Sequence, residues 1–456
     1  MGKEIHKMAR LFGTDGVRGV AGKELTVELA MQLGQAGACV LAKNSNRKPV
    51  ILVGCDTRIS GGMLANALIA GITSVGADVI YVGVAPTPAV AYLTRRYRAD
   101  AGVVISASHN PVEFNGIKFF DAHGFKLPDA TEDEIEAIIK NGLDVSASKT
   151  GLEVGRIDYR FDAADEYINH SVNAVDVDLI GMKIVADCAE GASFNTSIQA
   201  LKRLGAEVIA IHDRPDGTNI NKDCGSTHLG ELCRRVVEEK ADAGVAFDGD
   251  ADRFLAVDEK GQVIDGDQIM AIVGLDMKER GKLSGDRLVV TVMSNLGLTI
   301  MADKNGINLE QTKVGDRYVL ERMKEIGSNL GGEQSGHIIF LDENTTGDGL
   351  LSALHLLEVM KRSGKKLSEL AGVMEVLPQA LVNAKASNDK KHDFMQSEAV
   401  AGAIKALEEK YAGGGRVLIR PSGTEPLVRV MIEGRDKSVI DKDASDLAAL
   451  IEKELG

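Results

Sequence analysis

The spacing of apolar positions follows two rhythms along this chain, near-continuous short runs and amphipathic stretches of helical period. Three segments repeat one arrangement of the two: an apolar β-rich run, a polar or glycine-containing turn, an amphipathic stretch, then a Gly opening a second apolar run. The first passes from Val50-Ile51-Leu52-Val53 through Met63–Val75 to Gly76-Ala77-Asp78-Val79-Ile80. The second joins Lys183-Ile184-Val185-Ala186 to Gly205-Ala206-Glu207-Val208-Ile209, and a weaker third joins Leu288-Val289-Val290-Thr291-Val292 to Gly306-Ile307. Each reads as strand, crossover helix and strand, because β-branched runs without alternation suit strands buried on both faces. The tail differs: a helix near Met395–Tyr411, the run Gly413-Gly414-Gly415, strands around Val417-Leu418-Ile419 and Val428-Arg429-Val430-Met431, and a closing helix from Asp443. The expected architecture is three related α/β domains with mixed sheets (1–155, 156–256, 257–370) and a C-terminal α+β domain (371–456).

Composition agrees and narrows the partners. A chain of 456 residues exceeds what one core supports, so several packed domains are required. There is no Trp and aromatic content is 4%, which leaves few stacking platforms and argues against nucleic acid. The net charge of −14 means an anionic ligand must be captured by local basic groups. Five scattered cysteines without a CxxC pair read as reduced thiols. The first ten residues lack an apolar leader, and His6 stands where a myristoylation motif needs Ser or Thr. No apolar run approaches the ~18 residues of a membrane span, so a cytoplasmic chain with no membrane partner is expected.

Four constellations carry candidate chemistry. Ser106-Ala107-Ser108-His109-Asn110-Pro111 follows the apolar run Ala101–Ile105, the place where open α/β sheets bind ligands. A hydroxyl nucleophile beside His and Asn fits there, although a strand end also needs turn formers and Asn-Pro is one. Asp248-Gly249-Asp250-Ala251-Asp252-Arg253 follows the run Ala243–Phe247 and can turn three carboxylates on one point, where they repel unless a cation intervenes. Oxygen-only ligands favour Mg²⁺; the bland alternative is a solvated acidic turn. Arg420-Pro421-Ser422-Gly423-Thr424-Glu425-Pro426 reads as a phosphate cradle of backbone N–H groups, hydroxyls and a guanidinium fork, or as a plain hairpin connection. Gly331-Gly332-Glu333-Gln334-Ser335-Gly336-His337 offers the mixed donors and acceptors that sugar hydroxyls need, and equally could be a simple polar loop.

Together with Phe12-Gly13-Thr14-Asp15-Gly16-Val17-Arg18-Gly19, these motifs stand in the order of the α-D-phosphohexomutase superfamily, which the chain resembles from residue 11 to beyond residue 430. The pattern is most similar to the phosphoglucosamine mutase branch, in Ile105–Pro111, in Val314-Gly315-Asp316-Arg317-Tyr318 and in Gly332–His337. The resemblance implies an intramolecular phosphotransferase in which Ser108 becomes phosphoserine. The phosphoryl oxygen on Ser108 and the carboxylates of Asp248, Asp250 and Asp252 would hold Mg²⁺. Arg18 and Lys118 would flank the reacting phosphate and His109 would assist proton transfer. Arg253, Glu333, Ser335 and His337 would bind substrate, with Glu333 and Ser335 on O3 and O4. Arg420, Ser422, Gly423, Thr424 and Arg429 would hold the phosphate that is not reacting. In the metal motif Ala251 stands where many bacterial members have Gly.

The implied reaction interconverts glucosamine 6-phosphate and glucosamine 1-phosphate through a sugar 1,6-bisphosphate, in a monomer or homodimer. Mannose or glucose phosphates are the alternative substrates, and a pentose phosphate a more distant one. Two other classes compete. A metal-dependent phosphatase would admit water to the phosphoenzyme, and a non-catalytic sugar-phosphate sensor would lack the nucleophile or a ligand, all of which are present here.

Overall fold

The computed structural model describes residues 10–13, 15–41, 43, 45–142, 148–388, 390–422 and 425–456. The chain divides into two compact units, one of Met1–Met293 with Ile307–Val373 and one of Ser294–Gly306 with Met374–Gly456. Among the described residues the strands form four sheets.

The first sheet contains β1 (Val17–Val20), β2 (Val50–Cys55), β3 (Asp78–Val84), β4 (Ala101–Ile105), β5 (Phe114–Asp121) and β6 (Ile157–Tyr159), in the order β1-β5-β4-β2-β3-β6. The second holds β7 (Lys183–Asp187), β8 (Glu207–Ile211), β9 (Ala243–Phe247), β10 (Phe254–Asp258) and β11 (Val263–Ile264), ordered β11-β10-β9-β7-β8. The third has β12 (Arg287–Thr291), β13 (Asn308–Thr312), β14 (Leu330–Gly332) and β15 (Ile338–Phe340), ordered β13-β12-β14-β15.

All three share one device. A parallel pair, β2/β4, β7/β9 or β12/β14, is followed by a tight connection into an antiparallel neighbour: β4 into β5, β9 into β10, β14 into β15. The three connections are the serine, aspartate and glutamate loops. Each leaves the carboxyl end of a strand that is buried along its whole length, Ala101–Ile105, Ala243–Phe247 or Leu330–Gly332. Backbone at such an end is rigidly placed while the loop beyond it is free to carry polar groups, which is why ligands bind there.

The three repeats read from the apolar pattern are borne out as parallel pairs β2/β3, β7/β8 and β12/β13. Differences lie at the margins. Strand β6, short and exposed throughout so that it leaves no apolar run to read, extends the first sheet past residue 155, and β10 and β11 carry the second past residue 256.

In the second unit, β16 (Gln379–Lys385), β17 (Arg416–Pro421) and β18 (Leu427–Glu433) form an antiparallel sheet ordered β16-β18-β17. Val428, Val430 and Ile432 of β18 pack with Val400 and Ile404 of helix Glu398–Tyr411 and with Ile440, Leu447 and Ile451 of helix Lys437–Leu455. The expected α+β design is therefore present, with β16 as an additional strand. The closing helix starts at Lys437 rather than Asp443, because Asp436 accepts from the N–H groups of Ser438 and Val439 and caps it there.

Candidate active site

Ser108 is 2% exposed and has a left-handed backbone, φ +53°. An L-residue in that region carries roughly 1–2 kcal/mol of strain, so neighbours must hold it. Its N–H donates to Ser106 Oγ at 2.9 Å, and Ser106 Oγ donates to Asp56 Oδ2 at 2.6 Å. Its carbonyl accepts from Arg58 Nη2 and from Asn221 Nδ2, each at 2.9 Å. Arg58 also reaches the carbonyls of Asn110 at 2.8 Å and Pro111 at 2.5 Å, and is itself fixed by Asp56 Oδ2 at 2.9 Å. The hydroxyl donates to Asp248 Oδ2 at 2.6 Å and lies 3.3 Å from His109 Nδ1. Burial, then the cations of Arg253 and Arg18, hold the His109 pKa below its ordinary value, which leaves a neutral imidazole beside the hydroxyl.

Asp248, Asp250 and Asp252 are all buried and each brings a carboxylate oxygen within 4.8 Å of the others. A side chain at Gly249 would place Cβ 2.6 Å from Ser108 O, so the aspartate loop can approach the serine loop only with glycine there. Burial and the charges of Asp252 and Asp250 push Asp248 well above the usual carboxylate range. Burial opposes ionisation of Asp252 too, but His337, Lys118 and Arg253 hold it below that range. Asp250 Oδ1 and Asp252 Oδ1 are buried without hydrogen-bond partners. An all-oxygen donor set with two orphaned oxygens and three crowded charges fits a hard divalent cation.

Lys118 is 1% exposed, with Nζ 2.9 Å from both Asp250 Oδ2 and Asp15 Oδ2 and 3.9 Å from Asp252 Oδ2. Burial would lower its pKa, yet Asp15, Asp250 and Asp252 raise it well above its usual value, so it stays charged. Asp15 also pairs with Arg18 and, at 2.6 Å, with Lys126, which in turn pairs with Asp316. Thr87 donates its hydroxyl to Asp250 Oδ2 at 2.6 Å and its N–H to Asp250 O at 2.9 Å. Asp15, Asp56, Arg58, Thr87, Lys126, Asn221 and Asp316 were not among the expected site residues. Asp15 and Asp316 sit inside quoted motifs and could have been found there; the others act across large sequence separations and leave no local signal.

Glu333 is half-buried and accepts from the Gly315 N–H at 3.1 Å, while Ser335 is exposed. His337 lies beside the aspartate cluster. It is buried, accepts from the Gly347 N–H at 3.0 Å, and stands 3.6 Å from Asp252 Oδ2 and 3.5 Å from Asp316 Oδ2. Its imidazole thus faces two carboxylates. Arg253, by contrast, has a buried Nε without a partner, as does Arg18.

In the second unit, Arg420 and Arg429 are direct cross-strand partners between β17 and β18. Like charges so placed repel, and burial together with Arg429 lowers the Arg420 pKa. Arg429 Nε is buried without a partner, and its Nη2 reaches Glu425 Oε2 at 3.0 Å. Ser422 accepts on Oγ from the Glu425 N–H at 3.2 Å and keeps its hydroxyl hydrogen to donate. Buried Lys391 donates to Glu425 O at 3.1 Å and adds a further cation to this turn. Gly423 and Thr424 lie outside the described residues.

Sequence models of the phosphoglucomutase/phosphomannomutase family match in four consecutive parts: alpha/beta/alpha domain I over residues 9–145, domain II over 165–261, domain III over 265–377 and the C-terminal domain over 381–450. The phosphoglucosamine mutase of Ruminiclostridium cellulolyticum is 61% identical over 448 residues, covering 98% of this chain and 100% of that protein. That of Acetivibrio thermocellus is 59% identical over 449 residues, with 98% and 100% covered. Among solved structures, a phosphoglucomutase/phosphomannomutase family protein from Burkholderia thailandensis superposes with a TM-score of 0.82 at 24% identity, over 98% of both chains. An N-acetylphosphoglucosamine mutase from Aspergillus fumigatus, in complex with GlcNAc-6P and magnesium, gives 0.68 at 17% identity over 98% and 96%. The two solved structures share the fold of this chain.

Proposed function

The chain belongs to the α-D-phosphohexomutase superfamily, and from that membership we propose that it is a phosphoglucosamine mutase, interconverting glucosamine 6-phosphate and glucosamine 1-phosphate through a phosphoserine and a sugar 1,6-bisphosphate. The observation that carries the chemistry is a buried serine hydroxyl 2.6 Å from one member of a carboxylate triad, with the cation of Lys118 2.9 Å from another. The choice of sugar rests on relatives near 60% identity along the whole chain that bear this name.

Ser108 carries the transferable phosphoryl group. In the first half-reaction the P–O bond to Ser108 Oγ breaks as a sugar hydroxyl oxygen bonds to phosphorus, and the hydroxyl proton passes to a base, with neutral His109 at hand. In the second half-reaction the bond from phosphorus to the other sugar oxygen breaks as Ser108 Oγ bonds to that phosphorus, and the freed oxygen takes the proton back from the base, which regenerates the phosphoserine. Arg18 and Lys118 place positive charge where the transferring oxygens gather it, the largest contribution a protein makes to such transfers. Asp248, Asp250 and Asp252 would hold Mg²⁺, which when bound supplies further positive charge at the same oxygens. Glu333 and Ser335 accept and donate to sugar hydroxyls, and Arg253 presents its free Nε to phosphate. Arg420, Ser422 and Arg429, together with Gly423 and Thr424 of the same sequence motif, bind a phosphate group of the substrate. The 2% exposure of Ser108 shields its ester from water and favours transfer over hydrolysis.

Among the described residues no helix is long and apolar enough to cross a membrane, and the five cysteines are free thiols, in keeping with a reducing cytoplasm. Two measurements test the reading. Peptide mapping should place phosphate on Ser108, and Ser108→Ala should abolish turnover; phosphate on Ser106 instead would overturn the assignment. A comparison of kcat/KM for glucosamine, glucose, mannose and ribose phosphates tests the sugar, and a glucose or mannose phosphate ahead by tenfold would replace glucosamine while leaving the mutase chemistry standing.

A further inference from the structure

The loops after β7 and β8 bring together three side chains that the phosphoryl chemistry leaves unused. Asp187 closes β7, His212 directly follows β8, and Cys224 stands on the later loop beside them, one ligand atom of each lying within 4.8 Å of the others. Asp187 and Cys224 are 0% and 1% exposed, and His212 lies at the rim. His212 Nδ1 is 3.1 Å from Asp187 Oδ2, yet it is buried and makes no aligned hydrogen bond. A carboxylate oxygen, an imidazole nitrogen and a sulfur at this spacing form the donor set of zinc-class ions and not of Mg²⁺.

The surroundings have the form of an outer shell. Asp187 Oδ1 accepts from the Ala189 N–H at 2.9 Å and Oδ2 from the Gly225 N–H at 3.0 Å, which fixes the carboxylate. The second ring nitrogen, His212 Nε2, is 3.4 Å from Glu231 Oε2, the partner arrangement that orients metal-bound imidazoles. Glu190 Oε2 is a further buried oxygen without a partner.

We propose that Asp187, His212 and Cys224 form a binding site for a thiophilic divalent cation of the zinc class, separate from the Asp248 cluster. On binding, the Cys224 S–H bond gives way to an S–metal bond and the proton leaves to buffer; nothing is oxidised or reduced. The site braces the catalytic loops: the Asn221 N–H donates to Ala189 O at 2.9 Å while its side chain holds Ser108 O, and the Ala192 N–H donates to Gly249 O at 2.8 Å. A filled site therefore stiffens the turns that carry Ser108 and Gly249.

The test uses the full chain, stripped with chelator, returned to excess Mg²⁺ and titrated with Co²⁺, whose bond to a thiolate gives a near-ultraviolet charge-transfer band that an all-oxygen cluster cannot produce. Wild type should take up about one Co²⁺ with that band, release a proton, and lose the band to Zn²⁺. Cys224→Ser should abolish the band while retaining Mg²⁺-dependent turnover, which also shows that it folds. His212→Gln should weaken Zn²⁺ binding by roughly a hundredfold or more and Glu231→Gln by roughly tenfold, with the His212 variant deciding the matter if the cysteine variant does not fold. Absence of the band in wild type, or its persistence in Cys224→Ser, would overturn the site.

Discussion

Asn221 donates its side-chain amide to the backbone oxygen of Ser108 at 2.9 Å and to that of Asn110 at 3.1 Å. The serine loop of the first sheet is thus held by a residue of the second, at a backbone conformation that strain would otherwise relax. Asn221→Ala should lower kcat by about tenfold to a hundredfold with KM little changed, since a misplaced nucleophile costs rate more than binding. An unchanged kcat would mean that Arg58 alone sets the loop.

Asp250 accepts from Lys118 and Thr87 through Oδ2 and leaves Oδ1 buried without a partner. Chelation should abolish turnover and Mg²⁺ should restore it. Asp250→Asn should lower kcat by about a thousandfold or more while remaining folded, and it should lose the rise in Tm that Mg²⁺ gives the wild type. Full activity in excess chelator, or an Asp250→Asn variant with wild-type turnover, would remove the metal from the reaction.

The apolar runs made the parallel pairs and the motif loops legible because both are local: burial on two faces writes a run of Val and Ile, and a loop that carries chemistry writes its residues in sequence. What holds the loops was not legible. Lys126 bridges Asp15 and Asp316, 111 and 190 residues away, and no spacing announces that. The packing of His337 beside Asp252 and Gly347 is likewise set by the fold and leaves no mark in its own loop. Ala251 is instructive in the other direction. It stands where the resemblance has Gly, and its φ of +57° is a conformation that glycine adopts freely and alanine at a cost of roughly 1–2 kcal/mol.

His355 lies in a buried network with Glu343 Oε2 at 2.9 Å and Glu358 Oε2 at 3.5 Å, and Glu358 also pairs with Arg280 at 3.2 Å. Burial opposes the imidazolium, but the two glutamates prevail and raise His355 from 6.5 to about 9. A pKa raised on folding adds stability that is fully present below pH 6.5 and is lost as pH climbs through about 9. Glu358, lowered to about 2, adds stability above its ordinary value of 4.5 that is lost only as pH falls through about 2. Between pH 7 and 9.5 wild-type stability should therefore decline by about 2 kcal/mol. His355→Gln should flatten that decline. Parallel wild-type and variant curves in denaturant titrations across this range would assign the decline to other groups.

Arg420 and Arg429 face each other across β17 and β18, an arrangement that costs stability unless an anion sits between the guanidinium groups. Consequences for stability and for turnover follow from the same geometry. Without phosphate, Arg420→Ala should be at least as stable as the wild type, because it relieves the repulsion and exposes no buried partner. With phosphate, the wild type should gain more stability than the variant, since an anion bound only by the folded state shifts Tm by mass action. In turnover, loss of one charge-assisted contact is worth about 1.5–3 kcal/mol, so kcat/KM for the phosphosugar should fall by roughly ten- to a hundredfold. Thermal melts with and without phosphate, set beside steady-state kinetics, read both effects. Should the variant be less stable than the wild type without phosphate and show the same phosphate-dependent gain, the paired arginines would be holding the hairpin together and not an anion.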